Sequence, residues 1–387
     1  MKLSGSERSK IMTHSDIRAM TIECARLGGI NLAQGVCDLD IPPIVVEAAK
    51  KAIDDGWNTY TRYDGLPVLR EAIAKKVRSF NGLEADAEKN IICSEGTTGA
   101  MFATCMALLN PGDEVIIPAP YYQYHVFTIQ MCGAIPVTPK LGPPPEWRFD
   151  ADTIQESITS KTKAIIINTP SNPAGKVYSI DELKALRDIC VDNDIFCFTD
   201  EIYEYFVYDD RKHISPASIE GMSERTITIS GYSKSFSITG WRVGYVHCHE
   251  RWKNTIGYVN DLINVCTPTP FQIAVAKGIE ELPQSYYTGI CKDYAIKRQM
   301  MLEACLNAGL KAYKPEGAYY VLADVSGVPG KTAKDKAMYI LNRTGVAAVP
   351  ATAFFPDKTG DTMVRFCFAK RDNVLKEACE RLQKLND

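Results

Sequence analysis

Lys234 stands in the run Ser230-Gly231-Tyr232-Ser233-Lys234-Ser235, directly after the β-branched residues Ile227, Thr228 and Ile229. Such a stretch reads as a strand that breaks into a turn of small residues. Small neighbours leave the amine open to close approach. A lysine amine that has lost its proton condenses with carbonyl groups. Arg242 follows between Gly240 and Gly244, and a guanidinium holds phosphate through two parallel hydrogen bonds. Taken singly, a lysine is most often a solvated surface residue and an arginine its ion-pair partner. Taken together, the two suit a ligand with an aldehyde at one end and a phosphate at the other.

Other stretches point the same way. Asp200 ends the apolar run from Ile195 to Thr199, and a carboxylate brought out of water needs a partner. A protonated ring nitrogen is a suitable one. The turn Gly96-Thr97-Thr98 separates the expected strand Ile91-Ile92-Cys93 from an apolar helix starting near Ala100. Free amides and the positive end of a helix dipole at that turn favour an anion, although the turn is not a P-loop. Tyr122 follows Pro118-Ala119-Pro120 and offers a face for a flat, electron-poor ring. Arg365 lies in the apolar alternation from Met363 to Ala369, where a carboxylate is its natural partner.

The pattern Ser-Lys-x-Phe-x-x-x-Gly-x-Arg-x-Gly from Ser233 to Gly244 resembles the lysine signature of class I/II aminotransferases, the fold type I pyridoxal-phosphate enzymes of the aspartate aminotransferase superfamily. Asp200-Glu201-Ile202-Tyr203, Asn172-Pro173-Ala174-Gly175 and the segment from Tyr60 to Arg70 are similar to that family in the same order, and the likeness runs from about 30 to 382. The resemblance implies pyridoxal 5′-phosphate as cofactor and Lys234, Asp200 and Tyr203 as catalytic residues. It implies that Gly96, Thr97, Thr98, Ser233 and Arg242 hold the phosphate, that Tyr122 stacks on the ring, and that Asn172 and Tyr203 face the phenolic oxygen. Tyr60 then reaches the cofactor of a neighbouring subunit, so a homodimer with shared active sites is implied. Gly35, Asn172 and Arg365 would bind the substrate. Two positions depart from the family: Cys37 stands where proline is common, and Gly231 where serine is frequent. The missing hydroxyl then falls to Ser230, Ser233 or the Thr97/Thr98 turn.

The implied reaction is transfer of an amino group from an L-amino acid to a 2-oxo acid by a ping-pong mechanism. Tyr63, Tyr121, Tyr124 and Phe355 favour an aromatic or large apolar donor, while Arg18 and Arg62 remain candidates for a side-chain carboxylate. A C–S β-lyase, or an enzyme cleaving S-adenosylmethionine, would share every cofactor contact and is the alternative reading.

The frame for these residues is a chain of 387 residues, 45% hydrophobic and 24% charged, with net charge −3. That balance calls for neither nucleic acid nor an anionic membrane surface. Met1 to Thr13 is polar, without a signal-peptide core, and no apolar run is long enough for a membrane span. Thirteen cysteines without a CxxC pair read as reduced thiols of a cytoplasmic protein. His247-Cys248-His249 lacks a third ligand, so no metal is expected. Strands alternating with helices predict an α/β fold around a mostly parallel sheet, with functional residues at the carboxyl ends of strands. The expected division is a large cofactor-binding domain over 45–276 and a smaller α/β domain from 1–44 and 277–387. The expected helix from Ile44 to Ile53 points Val45, Val46, Ala49 and Ile53 inward. The last helix is expected to align Val374, Ala378, Leu382 and Leu385.

Overall fold

The structure is a computed structural model and describes residues 3–11 and 15–386. Part of the polar stretch read at Met1 to Thr13 lies outside the described residues. The main sheet has seven strands. From one edge inward they run Ile135–Val137, Glu114–Ile116, Thr162–Asn168, Phe196–Asp200 and Thr226–Gly231, all parallel. Gly244–His247 follows antiparallel, and Ile91–Ser94 closes the other edge antiparallel to it. The fold is thus α/β with a mostly parallel central sheet, as the alternation of elements predicts.

The strands are apolar on both faces because helices cover both. Ile165, Ile167 and Cys197 pack with Leu183 and Leu186 of the helix Ile180–Asp192. Ile166, Phe198, Ile227 and Ile229 pack the other way, with Ala100 and Met101 of Gly96–Leu108 and Ile256 of Glu250–Asn264. Register fixes what lies side by side at the carboxyl ends: Asn168 pairs with Asp200, Asp200 with Ile229, and Gly231 with Gly244.

A second, antiparallel sheet comprises Val349–Pro350, Met363–Cys367, Tyr320–Asp324 and Lys311–Tyr313 in spatial order. The long helix Gln284–Asn307 and the helices Ala333–Thr344 and Asp372–Leu382 accompany it. A short parallel pair joins Ile30–Asn31 to Val346–Ala347, so the early chain packs with the late chain in one core.

Two local expectations are corrected. In Pro43–Asp54 the buried residues are Val45, Ala49 and Ala52, whereas Val46 is half-buried and Ile53 is 51% exposed. The inward stripe steps by four and then three residues, and Ile53 lies about 100° round the helix from Ala52. In the last helix Leu375, not Val374, joins Ala378 and Leu382 in the core. His247 and His249 part company: His247 Nε2 bonds to the Glu84 carbonyl at 2.8 Å, while the His249 side chain caps the following helix. All thirteen cysteines are free, and most are buried.

Candidate active site

A cavity of about 420 Å³ opens where the carboxyl ends of the central strands meet the second sheet and the early chain. Lys234 enters it from the turn after Thr226–Gly231. Its Nζ donates to the Gly35 carbonyl at 3.1 Å. The Tyr203 and Tyr319 rings lie 6.0 and 5.8 Å from the amine. Enclosure by protein pushes the amine below its ordinary value of 10.5, against the attraction of nearby thiols and Asp200. A lowered pKa is what a nucleophilic lysine requires.

Asp200 ends its strand only 5% exposed. Its Oδ2 meets His125 Nε2 at 3.0 Å, and its Oδ1 accepts from the Ile202 amide at 3.2 Å. Asn168 braces the same corner, donating to the Asp200 carbonyl at 2.8 Å and accepting from the Asn172 amide at 2.7 Å. Tyr203 Oη lies 2.9 Å from Tyr320 Oη, and burial raises the Tyr203 phenol well above its usual range. Tyr122 lines the cavity and stands edge-on to His125, centroids 5.3 Å apart.

Arg365 is 1% exposed. It donates to Asn172 Oδ1 and to the Ala33 carbonyl, each at 2.6 Å, and lies over the Tyr320 and Phe354 rings. Its Nε has no partner. Among the described residues no carboxylate pairs with it. A buried guanidinium without a counter-ion is poised for one supplied by a ligand. Gly35 is required here on steric grounds, because a Cβ would stand 1.9 Å from Tyr320 Oη.

The other end of the cavity is arranged for an anion. The helix Gly96–Leu108 starts there, and its N-cap Glu95 makes no side-chain bond to the first-turn amides. Thr97, Thr98, Ser233 and Arg242 line this end. Arg242 adopts a left-handed backbone, φ 57°, a strained choice typical of functional positions. Its guanidinium donates to the Thr239 and Glu95 carbonyls at 2.9 and 3.2 Å. It lies so close over Gly96 that a Cβ there would meet Nη2 at 2.5 Å. Gly96 therefore backs the arginine rather than lining the space.

Eleven of the residues assigned a catalytic, cofactor or carboxylate role thus share one cavity: Gly35, Thr97, Thr98, Tyr122, Asn172, Asp200, Tyr203, Ser233, Lys234, Arg242 and Arg365. Tyr60 is not among them and is 82% exposed. Of the three hydroxyl sources, Ser230 points away, bonding Glu204 at 2.9 Å. Of the four aromatics proposed near the substrate only Tyr124 lines the cavity. Tyr63 instead donates to Asn254, Phe355 packs near Trp147, and Tyr121 joins the core. Arg62 is tied to Asp64 and Glu88, at 2.5 and 2.6 Å, whereas Arg18 lines the cavity. His125, Asn168 and Tyr320 are additions that the sequence reading missed. Each acts through a partner distant in sequence. The sole local hint was Tyr320 beside Gly317-Ala318-Tyr319.

The sequence profile of aminotransferase class I and II matches residues 28–382. An aspartate aminotransferase from Pyrococcus abyssi is 36% identical over 98% of this chain and 97% of its own length. An aromatic-amino-acid aminotransferase from Thermococcus litoralis is 33% identical over 98% and 97%. The solved structure of N-succinyldiaminopimelate aminotransferase from Mycobacterium tuberculosis superposes with a TM-score of 0.95 at 32% identity, covering 99% of this chain and 100% of that one. The chain belongs to the class I and II aminotransferases, and it is an enzyme of that kind.

Proposed function

We propose that the protein is a pyridoxal-phosphate-dependent aminotransferase that moves an amino group from an L-amino acid to a 2-oxo acid by a ping-pong mechanism. The observation that carries this is Lys234, its amine pushed below 10.5, in one cavity with Asp200 and the uncompensated Arg365. The residues fit the cofactor, which when bound supplies an aldehyde and an electron-withdrawing ring.

Lys234 Nζ would hold the aldehyde end of the cofactor, and its free amine would serve as the base for the proton on the substrate α-carbon. Asp200, fixed by His125, keeps a proton on the ring nitrogen. Tyr203 donates its phenol to the cofactor's phenolic oxygen. Asn172 Oδ1 accepts from Arg365, which leaves Nδ2 free to donate to the same oxygen. The amides of Thr97 and Thr98, with Ser233 and Arg242, hold the phosphate, and Gly96 gives the arginine room to lie against the turn. Tyr122 covers the ring. Arg365 and Asn172 orient the α-carboxylate, and the Gly35 backbone contacts it, the missing Cβ leaving room for Tyr320 Oη.

In this reading 45–276 form the larger, cofactor-binding domain, and 1–44 with 277–387 the smaller one. Two chains pair so that exposed Tyr60 of each completes the other's phosphate site. Tyr124 and Ile17 in the cavity wall, with the likeness to an aromatic-amino-acid aminotransferase, support an aromatic or large apolar donor. The free thiols support a cytoplasmic location. Among the described residues no helix is long and apolar enough to cross a membrane.

Initial rates with amino acid and 2-oxo acid both varied test the mechanism. Parallel double-reciprocal lines are expected; lines that intersect would rule out ping-pong transfer.

A further inference from the structure

Tyr320 begins the strand Tyr320–Asp324 of the second sheet, yet its hydroxyl ends in the cavity, 2.9 Å from Tyr203 Oη. The Arg365 guanidinium lies over its ring, 4.2 Å from the centroid. The missing Cβ of Gly35 gives the hydroxyl its place. Among the described residues neither phenol has another hydrogen-bond partner. Two phenols that share one hydrogen bond leave one proton uncommitted. If Tyr203 donates to Tyr320, it has no proton left for a ligand. If Tyr320 donates to Tyr203, the Tyr203 proton is free to point into the cavity. The surroundings favour the second arrangement. Burial raises both phenols, but Asp200 and Tyr122 push Tyr203 further, whereas the Arg365 charge opposes the rise at Tyr320. The phenol that holds its proton less tightly is the better donor.

We propose that Tyr320 is a positioning residue, which donates to Tyr203 Oη and so turns the Tyr203 proton toward the phenolic oxygen of the cofactor. This inference rests on the reading of the cavity as a pyridoxal-phosphate site in which Tyr203 faces that oxygen. Hydrogen bonds in a buried chain polarise one another, so Tyr203 donates more strongly with Tyr320 behind it. On the cofactor the phenolic oxygen adjoins the aldehyde end that Lys234 would hold. A stronger donor to that oxygen stabilises its negative charge, and the neighbouring nitrogen then gives up its proton at a lower pH. Phenylalanine at 320 would keep the ring beneath Arg365 and remove only the donor.

The test is a pH titration of the visible absorbance of protein loaded with pyridoxal phosphate, for the wild type, Tyr320→Phe, Tyr203→Phe and the double variant. Tyr320→Phe is expected to raise the midpoint by about 0.5–1 pH unit, the size of shift that one hydrogen bond supplies. On the Tyr203→Phe background the same replacement should move the midpoint by less than about 0.3 unit, because Tyr320 acts through Tyr203. A midpoint in Tyr320→Phe that is unchanged or lowered would overturn the proposal while leaving the cofactor site in place. So would an equal shift on both backgrounds, which a merely structural role for the hydroxyl would give. A wild type that takes up no pyridoxal phosphate would overturn the reading of the cavity and this inference with it.

Discussion

At Lys234 the account makes its strongest demand. Replacement by alanine is expected to lower turnover by at least about 10³-fold, since both the covalent anchor and the α-proton base disappear. A variant that folds, as judged by circular dichroism, and keeps activity within tenfold would refute the assignment. Burial lowers the pKa of this amine from 10.5, and the free amine is the nucleophile. The rate at which apo protein captures pyridoxal phosphate should therefore rise with pH and level off below 10.5. A stopped-flow profile with its inflection at or above that value would contradict it. Residues like Lys234, Asp200 and Arg365 were legible in the sequence because a charge in an apolar or small-residue run demands an explanation. His125 and Tyr320 were not. Their meaning lies in bonds to Asp200 and Tyr203, and neither partner is a sequence neighbour.

Elements position these groups through close approaches that tolerate little change. Gly96 has φ 67° and carries the Arg242 guanidinium directly above it. Gly96→Ala should strain the turn and displace the arginine, weakening pyridoxal phosphate binding by roughly tenfold or more in equilibrium dialysis. Unchanged affinity would remove Arg242 from the phosphate site. Behind the sheet edge, Asp64 joins three elements by pairing with Arg62, Lys253 and Arg70. Burial alone would raise this carboxyl, but hydrogen bonds from Arg62 and Lys253 and the Arg70 charge bring it below 3.8. A depressed carboxylate contributes stability that is present above its unfolded pKa and is lost as pH falls through the folded one. Asp64→Ala should thus cost about 3–5 kcal/mol near neutral pH. Below pH 3.8 its unfolding free energy should fall less steeply than the wild type's in urea titrations. Helix and strand identities were legible from periodicity. The missed detail, Ala52 inward and Ile53 outward, was a matter of phase, which hydrophobicity alone does not fix when alanine is the buried residue.

The whole molecule brings residues from Gly35 to Arg365 into one space, and the sequence showed this only through family likeness. Topology, not local pattern, carries the early chain beside Val346–Ala347. Tyr60, 82% exposed on one chain, makes sense in a dimer. The protein should sediment at twice the mass of one chain, and Tyr60→Ala should weaken cofactor retention; a monomer with full activity would refute the shared site. The most direct test of the central claim uses cofactor-loaded protein with a reactive amino acid and no 2-oxo acid. The account predicts release of one equivalent of 2-oxo acid per active site, then arrest until an acceptor is added. Continued release of ammonia or a thiol beyond one equivalent would contradict it and make the protein a lyase.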